Sequence, residues 1–188
     1  GLVLPSNVAP VQVVVVPIFR KEEDRVAVAG AIERLEAIFK DIRTVSGPLR
    51  YKVDWREETP GYKYNHWELR GVPFRIEVGP RDVANDAAML VRRLDRAKEP
   101  LPVASLAQEL PKRLEQYQAA VFQRALDFRT QNTHSVDALG EMTEVLDGEG
   151  GFLMAPWCGS AECEKAVSSA NGATIRVVPF DSPDEAGR

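Results

Sequence analysis

Residues 11–19, VQVVVVPIF, form a nearly unbroken apolar run. A strand of this kind has to be covered on both faces, as parallel strands in α/β sheets are. The segment after it, KEEDRVAVAGAIERLEAIFKDI, carries Val28, Ile32, Leu35 and Phe39 at helical spacing, which gives an amphipathic helix. Ser46-Gly47-Pro48 breaks that helix, and LRYKVDW (49–55) is a second, short strand. Strand, helix and strand in this order imply a right-handed crossover and a largely parallel sheet.

Thr59-Pro60 opens a second helix, with Thr59 as N-cap and Pro60 at the first helical position. It runs to about Arg70 and stops at Gly71. VPFRIEV (72–78) is a third strand, with Val72, Phe74, Ile76 and Val78 on one face and Pro73, Arg75 and Glu77 on the other. GPRD (79–82) is a turn and NDAAMLVRRLD (85–95) a further strand. The order closes an α/β domain over residues 1–102, and KEPLP (98–102) reads as the connector out of it.

Residues 103–188 form a smaller α+β domain. A long helix runs from Ser105 to about Thr133, with Leu106, Leu110, Leu114, Tyr117, Val121, Ala125 and Phe128 as its stripe; Pro111 either kinks or splits it. A shorter helix from Val136 to Leu146 ends at GEGG. GFLMAPW is a strand, AECEKAVSSA a helix, and ATIRVVPF another strand. The tail DSPDEAGR is polar and reads as disordered.

The chain has 188 residues and a net charge of −4. Grip on nucleic acid by bulk charge alone is excluded, though a local site is not. No apolar run approaches the roughly 18 residues of a membrane span. No basic segment precedes the first strand, so no signal peptide is read. Two cysteines do not make a disulfide framework, and the expected compartment is a reducing cytoplasm. The opening GLVLP lacks an initiator Met, as a fragment or a processed chain would.

The charges concentrate between Arg56 and Asp82. Arg56, Lys63, Arg70, Arg75 and Arg81 are matched by Glu57, Glu58, Glu68, Glu77 and Asp82, interleaved with Tyr62, Tyr64 and Trp67. A short connection at Gly71 brings Glu68, Arg75, Glu77, Arg81 and Asp82 together. Acids and arginines on one face suit guanine: its N1–H and N2–H donors fit a carboxylate, and its O6 and N7 acceptors fit arginine. Such a site needs both signs of charge and has no net charge. A solvated lattice of Glu68–Arg75 and Arg81–Asp82 ion pairs accounts for the same residues. Trp67 at helical spacing reads as core, and Tyr62 and Tyr64 as core or stacking platforms. His66 reads as a packed or surface histidine, and His134 as a helix C-terminal residue.

Cys158 and Cys163 in WCGSAEC lie within the spacing range of a zinc pair and make half a site; two free buried thiols are the other reading. No GxSxG, GxxxxGK[ST], GxGxxG or HExxH occurs.

The block ETPGYKYNHWELRGVPFRIEVGPRD resembles the anticodon-binding domain of prolyl-tRNA synthetase. The resemblance extends from APVQVVVVPI through ALDFRTQNTHSVD to APWCGSAECE and TIRVVPF. It implies a class II anticodon-binding domain, a mixed sheet flanked by helices, over residues 1–102. A zinc-binding-type C-terminal domain follows over 103–188. It implies a tRNA(Pro) anticodon loop with two guanines as partner, read by Glu68, Arg75, Arg81 and Asp82. Lys63, on a backbone phosphate, and Glu77 are further tRNA contacts. Cys158 and Cys163 match the first two of four zinc cysteines, and the family's pattern continues past DEAGR into a second pair. ATP, magnesium and proline belong to a catalytic domain of a parent enzyme, usually a homodimer. This chain is expected to bind RNA and not to aminoacylate. Two other readings use the same residues: an accessory or scaffold protein that binds protein through this fold, and a small metal or thiol protein built on the two cysteines.

Overall fold

The computed structural model describes residues 1–180, so the tail DSPDEAGR lies outside the described residues. Strand β1 (Val13–Pro17) is buried at every position. Helix α1 (Glu22–Asp41) follows, burying Val28, Ile32, Leu35 and Phe39 as their spacing predicts. A small hairpin, β2 (Arg43–Thr44) and β3 (Gly47–Pro48), leads into β4 (Tyr51–Val53). Helix α2 (Pro60–Leu69) and strand β5 (Phe74–Val78) come next. Strand β1 pairs in parallel with β4 on one side and β5 on the other.

Beyond β5 the structure departs from the sequence reading. GPRD is not a plain turn: it opens the short helix α3 (Pro80–Ala84), with Pro80 in its first turn and the Gly79 N–H donating to Asp82 Oδ2 at 2.8 Å. KEPLP is not a connector: it is β7 (Lys98–Pro102), antiparallel to β6 (Ala87–Arg92), which is antiparallel to β5. Pro100 and Pro102 are tolerated because β7 is an edge strand, where an N–H can be missing without breaking a central ladder. The order β4-β1-β5-β6-β7 is therefore mixed, not largely parallel. The links from β5 to β6 and from β6 to β7 are too short for a parallel crossover.

The sheet divides two cores. Val13, Val15, Phe74 and Ile76 face α1 and the first half of α4 (Leu106–Gln131), whose Leu106, Leu110, Leu114 and Tyr117 are buried. Val14 and Val16 face the other way, with Tyr64 and Trp67 of α2 packed against them. Val72 belongs to this second core and not to the face of Phe74, because it precedes the strand's regular alternation. Pro111 does not split α4, which is continuous through it; it lies near the N-terminal end, where it forfeits one backbone hydrogen bond.

The chain forms two compact units, 1–124 and 125–188. The division falls inside α4, the buried stripe of whose first half completes the first core. In the second unit β8 (Thr133–Ser135) runs parallel to β9 (Phe152–Met154), flanked in sequence by α5 (Leu139–Asp147) and α6 (Ala161–Asn171). His134 is thus a strand residue opposite Leu153. Val136 is not helical; its N–H reaches the Met154 carbonyl at 3.0 Å and extends the pairing. ATIRVVPF forms no strand: among the described residues the second unit's one ladder is β8–β9. No described helix is long and apolar enough to cross a membrane.

Candidate nucleic-acid interface

Helix α2 starts as its sequence dictates: the Thr59 hydroxyl accepts the Tyr62 N–H at 3.3 Å, with Pro60 in the first turn. It ends at Gly71, in the left-handed region (φ +70°). A Cβ there would lie 2.9 Å from the Leu2 side chain and 3.2 Å from its backbone. Only glycine satisfies both demands, and it turns the chain so that the end of α2 lies beside β5.

That turn assembles the predicted cluster. Arg75 donates to Glu77 Oε1 through Nε (3.0 Å) and Nη2 (2.9 Å), and its Nη1 lies 3.4 Å from Glu68 Oε1. The guanidinium also sits over the Tyr64 ring, 3.8 Å from its centre. Burial, and then the negative charge of Glu77, push the Tyr64 hydroxyl up to about 12, with the Asp82 carboxylate adding to the shift. Glu77 is almost wholly buried, which is tolerable only because it is paired and hydrogen-bonded.

Two members of the cluster were not legible in the sequence. Lys98 Nζ is 3.2 Å from Glu77 Oε2, and Arg96 Nη2 is 3.3 Å from Glu68 Oε2. Both come from the β6–β7 hairpin, invisible once KEPLP is read as a connector. The one signal was the run RRLDRAK, rich in cations for a chain of net negative charge. A shallow cleft opens beside the cluster, lined by Trp67, Glu68, Arg75 and three arginines of the hairpin region, Arg92, Arg93 and Arg96.

The other predicted residues are placed differently. Asp82 is nearby, as the Tyr64 hydroxyl registers, but its Oδ2 is engaged by the Gly79 N–H. Arg81 is exposed on α3 and has no ion pair among the described residues, so the Arg81–Asp82 half of the lattice reading is absent. Lys63 is buried, with Nζ donating to the Asp54 carbonyl at 3.1 Å and its ammonium pushed down by burial. It is not disposed to meet a phosphate. Trp67 is partly core, as read, and its Nε1–H donates to Asp54 Oδ2 at 2.8 Å. His66 meets Arg56 and Arg70 through Nδ1 at 3.3 and 3.0 Å; burial and then these two cations lower its pKa.

Cys158 and Cys163 are exposed, not buried. A backbone hydrogen bond from Ser160, then one from the Cys163 thiol, lowers the Cys158 pKa, and the same contact raises that of Cys163. No group of three or more metal-ligating side chains forms among the described residues. The described residues fit half of a four-ligand zinc site and no more.

Residues 12–113 match the anticodon binding domain family. The chain belongs to that family. Residues 139–188 match the C-terminal domain of prolyl-tRNA synthetase, so the chain corresponds to the C-terminal part of that synthetase. It is 44% identical over its whole length to a proline–tRNA ligase of Chloroflexus aurantiacus, and 38% identical over 96% of its length to proline–tRNA ligase 2 of Bacillus cereus. It spans 38% and 36% of those proteins. It is also similar to the crystal structure of Cryptosporidium parvum prolyl-tRNA synthetase with L-proline and AMP. There the TM-score is 0.85 at 34% identity, over 96% of this chain and 38% of that one.

Proposed function

We propose that the first unit of this anticodon-binding chain binds the anticodon loop of tRNA(Pro) and reads its two guanines with Glu68, Arg75, Arg81 and Asp82. The observation that carries the reading is the unequal hold on the two carboxylates around Arg75. Glu77 is nearly buried, bonded twice to Arg75 and paired with Lys98. Glu68 is more exposed, and its contacts to Arg75 and Arg96 are long, at 3.4 and 3.3 Å. Glu68 is therefore the carboxylate free to accept the N1–H and N2–H of a guanine, while Arg75 offers donors to O6 and N7. Glu77 acts through Arg75 as a positioning residue and not as a base contact. Arg81, without an ion pair among the described residues, is the cation available to the second base. Lys63 is left out.

In the whole protein this binding supports ATP- and magnesium-dependent ligation of proline to its tRNA, in the cytoplasm and as a homodimer. A mismatched tRNA is rejected through lost binding energy. Zinc, if carried, would need ligands beyond Cys158 and Cys163. The match of both regions to the synthetase favours RNA binding over a protein-binding scaffold.

The test is binding of the chain to a proline anticodon stem-loop at fixed salt, beside loops with either guanine changed to adenine. Each change is expected to cost about 1–3 kcal/mol, and Glu68→Gln to erase one of the two differences. Equal binding to all loops would remove the base-reading assignment. An aminoacylation assay on the chain alone is expected to be blank.

A further inference from the structure

The β6–β7 hairpin carries Arg92, Arg93, Arg96 and Lys98 against two acids, Asp95 and Glu99, in a chain of net charge −4, and Glu99 is paired outside the hairpin with Arg113. Asp95 is occupied. It takes two hydrogen bonds from Arg92 and one from the Ala97 N–H, so it builds the turn and neutralises one cation. Arg93 reaches inward, its Nε donating to the Glu68 carbonyl at 3.3 Å. Arg96 and Lys98 carry the surplus. Their side chains are 74% and 52% exposed, whereas the carboxylates they touch are 24% and 9% exposed. Each is a solvated cation leaning on a shielded acid. Arg96 also holds φ +60°, which carries its side chain across to Glu68.

Exposed ion pairs of this kind contribute little to stability, so the arrangement needs another account. Glu68 and Glu77 are already served by Arg75, and a base entering the cleft would displace the weak contacts of Glu68. A nucleotide entering there also brings a backbone phosphate, and Arg96 and Lys98 are the solvated cations already paired to the two carboxylates of the cluster. We propose that the β6–β7 hairpin is a phosphate-binding element. In the free chain Arg96 and Lys98 rest on Glu68 and Glu77; in the complex they turn to RNA backbone phosphates, leaving Glu68 to the base. The inference rests on the proposed binding of an anticodon loop at this face and assigns its sequence-independent share to residues that read no base.

The experiment uses the full chain with Arg96→Asn, Lys98→Gln and the double variant. Asparagine tolerates the left-handed backbone at 96, and both side chains are exposed, so thermal unfolding should match the parent. Binding to guanine and adenine loops is measured across a series of salt concentrations. The expected result is equal weakening for every loop, with the salt slope reduced by about 0.7 for each phosphate no longer neutralised and guanine preference kept. Unchanged affinity and slope, or a preference abolished at an unchanged slope, would overturn the hairpin's role while the base reading stands. Absence of guanine preference in the parent chain with the slope change retained would instead sink the base reading and keep the phosphate role. No binding of any loop by the parent would sink both.

Discussion

Arg75 lies over Tyr64, its guanidinium carbon 3.8 Å from the ring centre, while two of its nitrogens bond Glu77. The ring and the carboxylate together leave Arg75 one orientation, with Nη1 towards Glu68. Tyr64→Phe keeps the ring and loses only the hydroxyl. Tyr64→Leu loses the stacking, worth about 1 kcal/mol at a partly desolvated site. Tyr64→Leu is therefore expected to weaken guanine-loop binding several-fold more than Tyr64→Phe. Equal effects in a titration against the same loop would show that the ring does not position Arg75. Spectrophotometric titration of the parent chain should also find two tyrosines, Tyr64 and Tyr117, ionising only near 12.

Asp54 ties the end of β4 to α2. It accepts from Arg56 and from the Trp67 indole, and its backbone carbonyl holds the buried Lys63. Burial alone would push the carboxyl up, but the hydrogen bonds from Arg56 and Trp67 outweigh it and bring it from 3.8 down to about 2. A carboxyl held below its unfolded value stabilises the fold fully above about pH 4, and that stabilisation is lost as pH falls through 2. The shift corresponds to about 2 kcal/mol. Asp54→Asn is expected to lower the melting temperature at pH 7 and to flatten the acid limb between pH 4 and 2, measured by circular dichroism.

Much of the first unit was legible because its signals are local. The buried run of β1, the stripe of α1 and the Thr59-Pro60 start of α2 each report a neighbour a few residues away. The same holds for the convergence of Glu68, Arg75 and Glu77, which follows from one glycine and one period-2 strand. The hairpin is hidden in the sequence because proline argues against a strand, and only the sheet's order makes β7 an edge where proline is harmless. Arg96 and Lys98 are hidden from the site with it. Lys63 misleads for the opposite reason: a lysine between two tyrosines looks exposed, and only the fold shows it turned inward to the Asp54 carbonyl. In the second unit, β8 is three residues long and follows α4 with no breaker but Asn132, so its sequence continues a helix until β9 is in place.

Tyr117 fills the first core beside Phe74, with ring centres 5.4 Å apart, yet its buried hydroxyl has no hydrogen-bond partner among the described residues. An unpaired buried hydroxyl costs about 1–3 kcal/mol. Tyr117→Phe keeps the packing and removes that cost. It should leave stability unchanged or raise it, whereas Leu114→Ala in the same stripe should lose about 2–5 kcal/mol. Chemical denaturation of the two variants compares them directly. A clear loss for Tyr117→Phe would mean the hydroxyl is satisfied.

Cys158 and Cys163 are both exposed, but they are not equivalent. The Ser160 backbone, followed by the Cys163 thiol, stabilises the Cys158 thiolate, and the resulting pairing disfavours ionisation of Cys163. The thiolate is the reacting form. Limited iodoacetamide at neutral pH should therefore label Cys158 ahead of Cys163, read by peptide mass spectrometry. Cys163→Ala, which removes the neighbouring donor, should slow the labelling of Cys158. Equal labelling of the two sulfurs in the parent chain would mean they do not share a proton, and the case for them as a preformed metal pair would go with it.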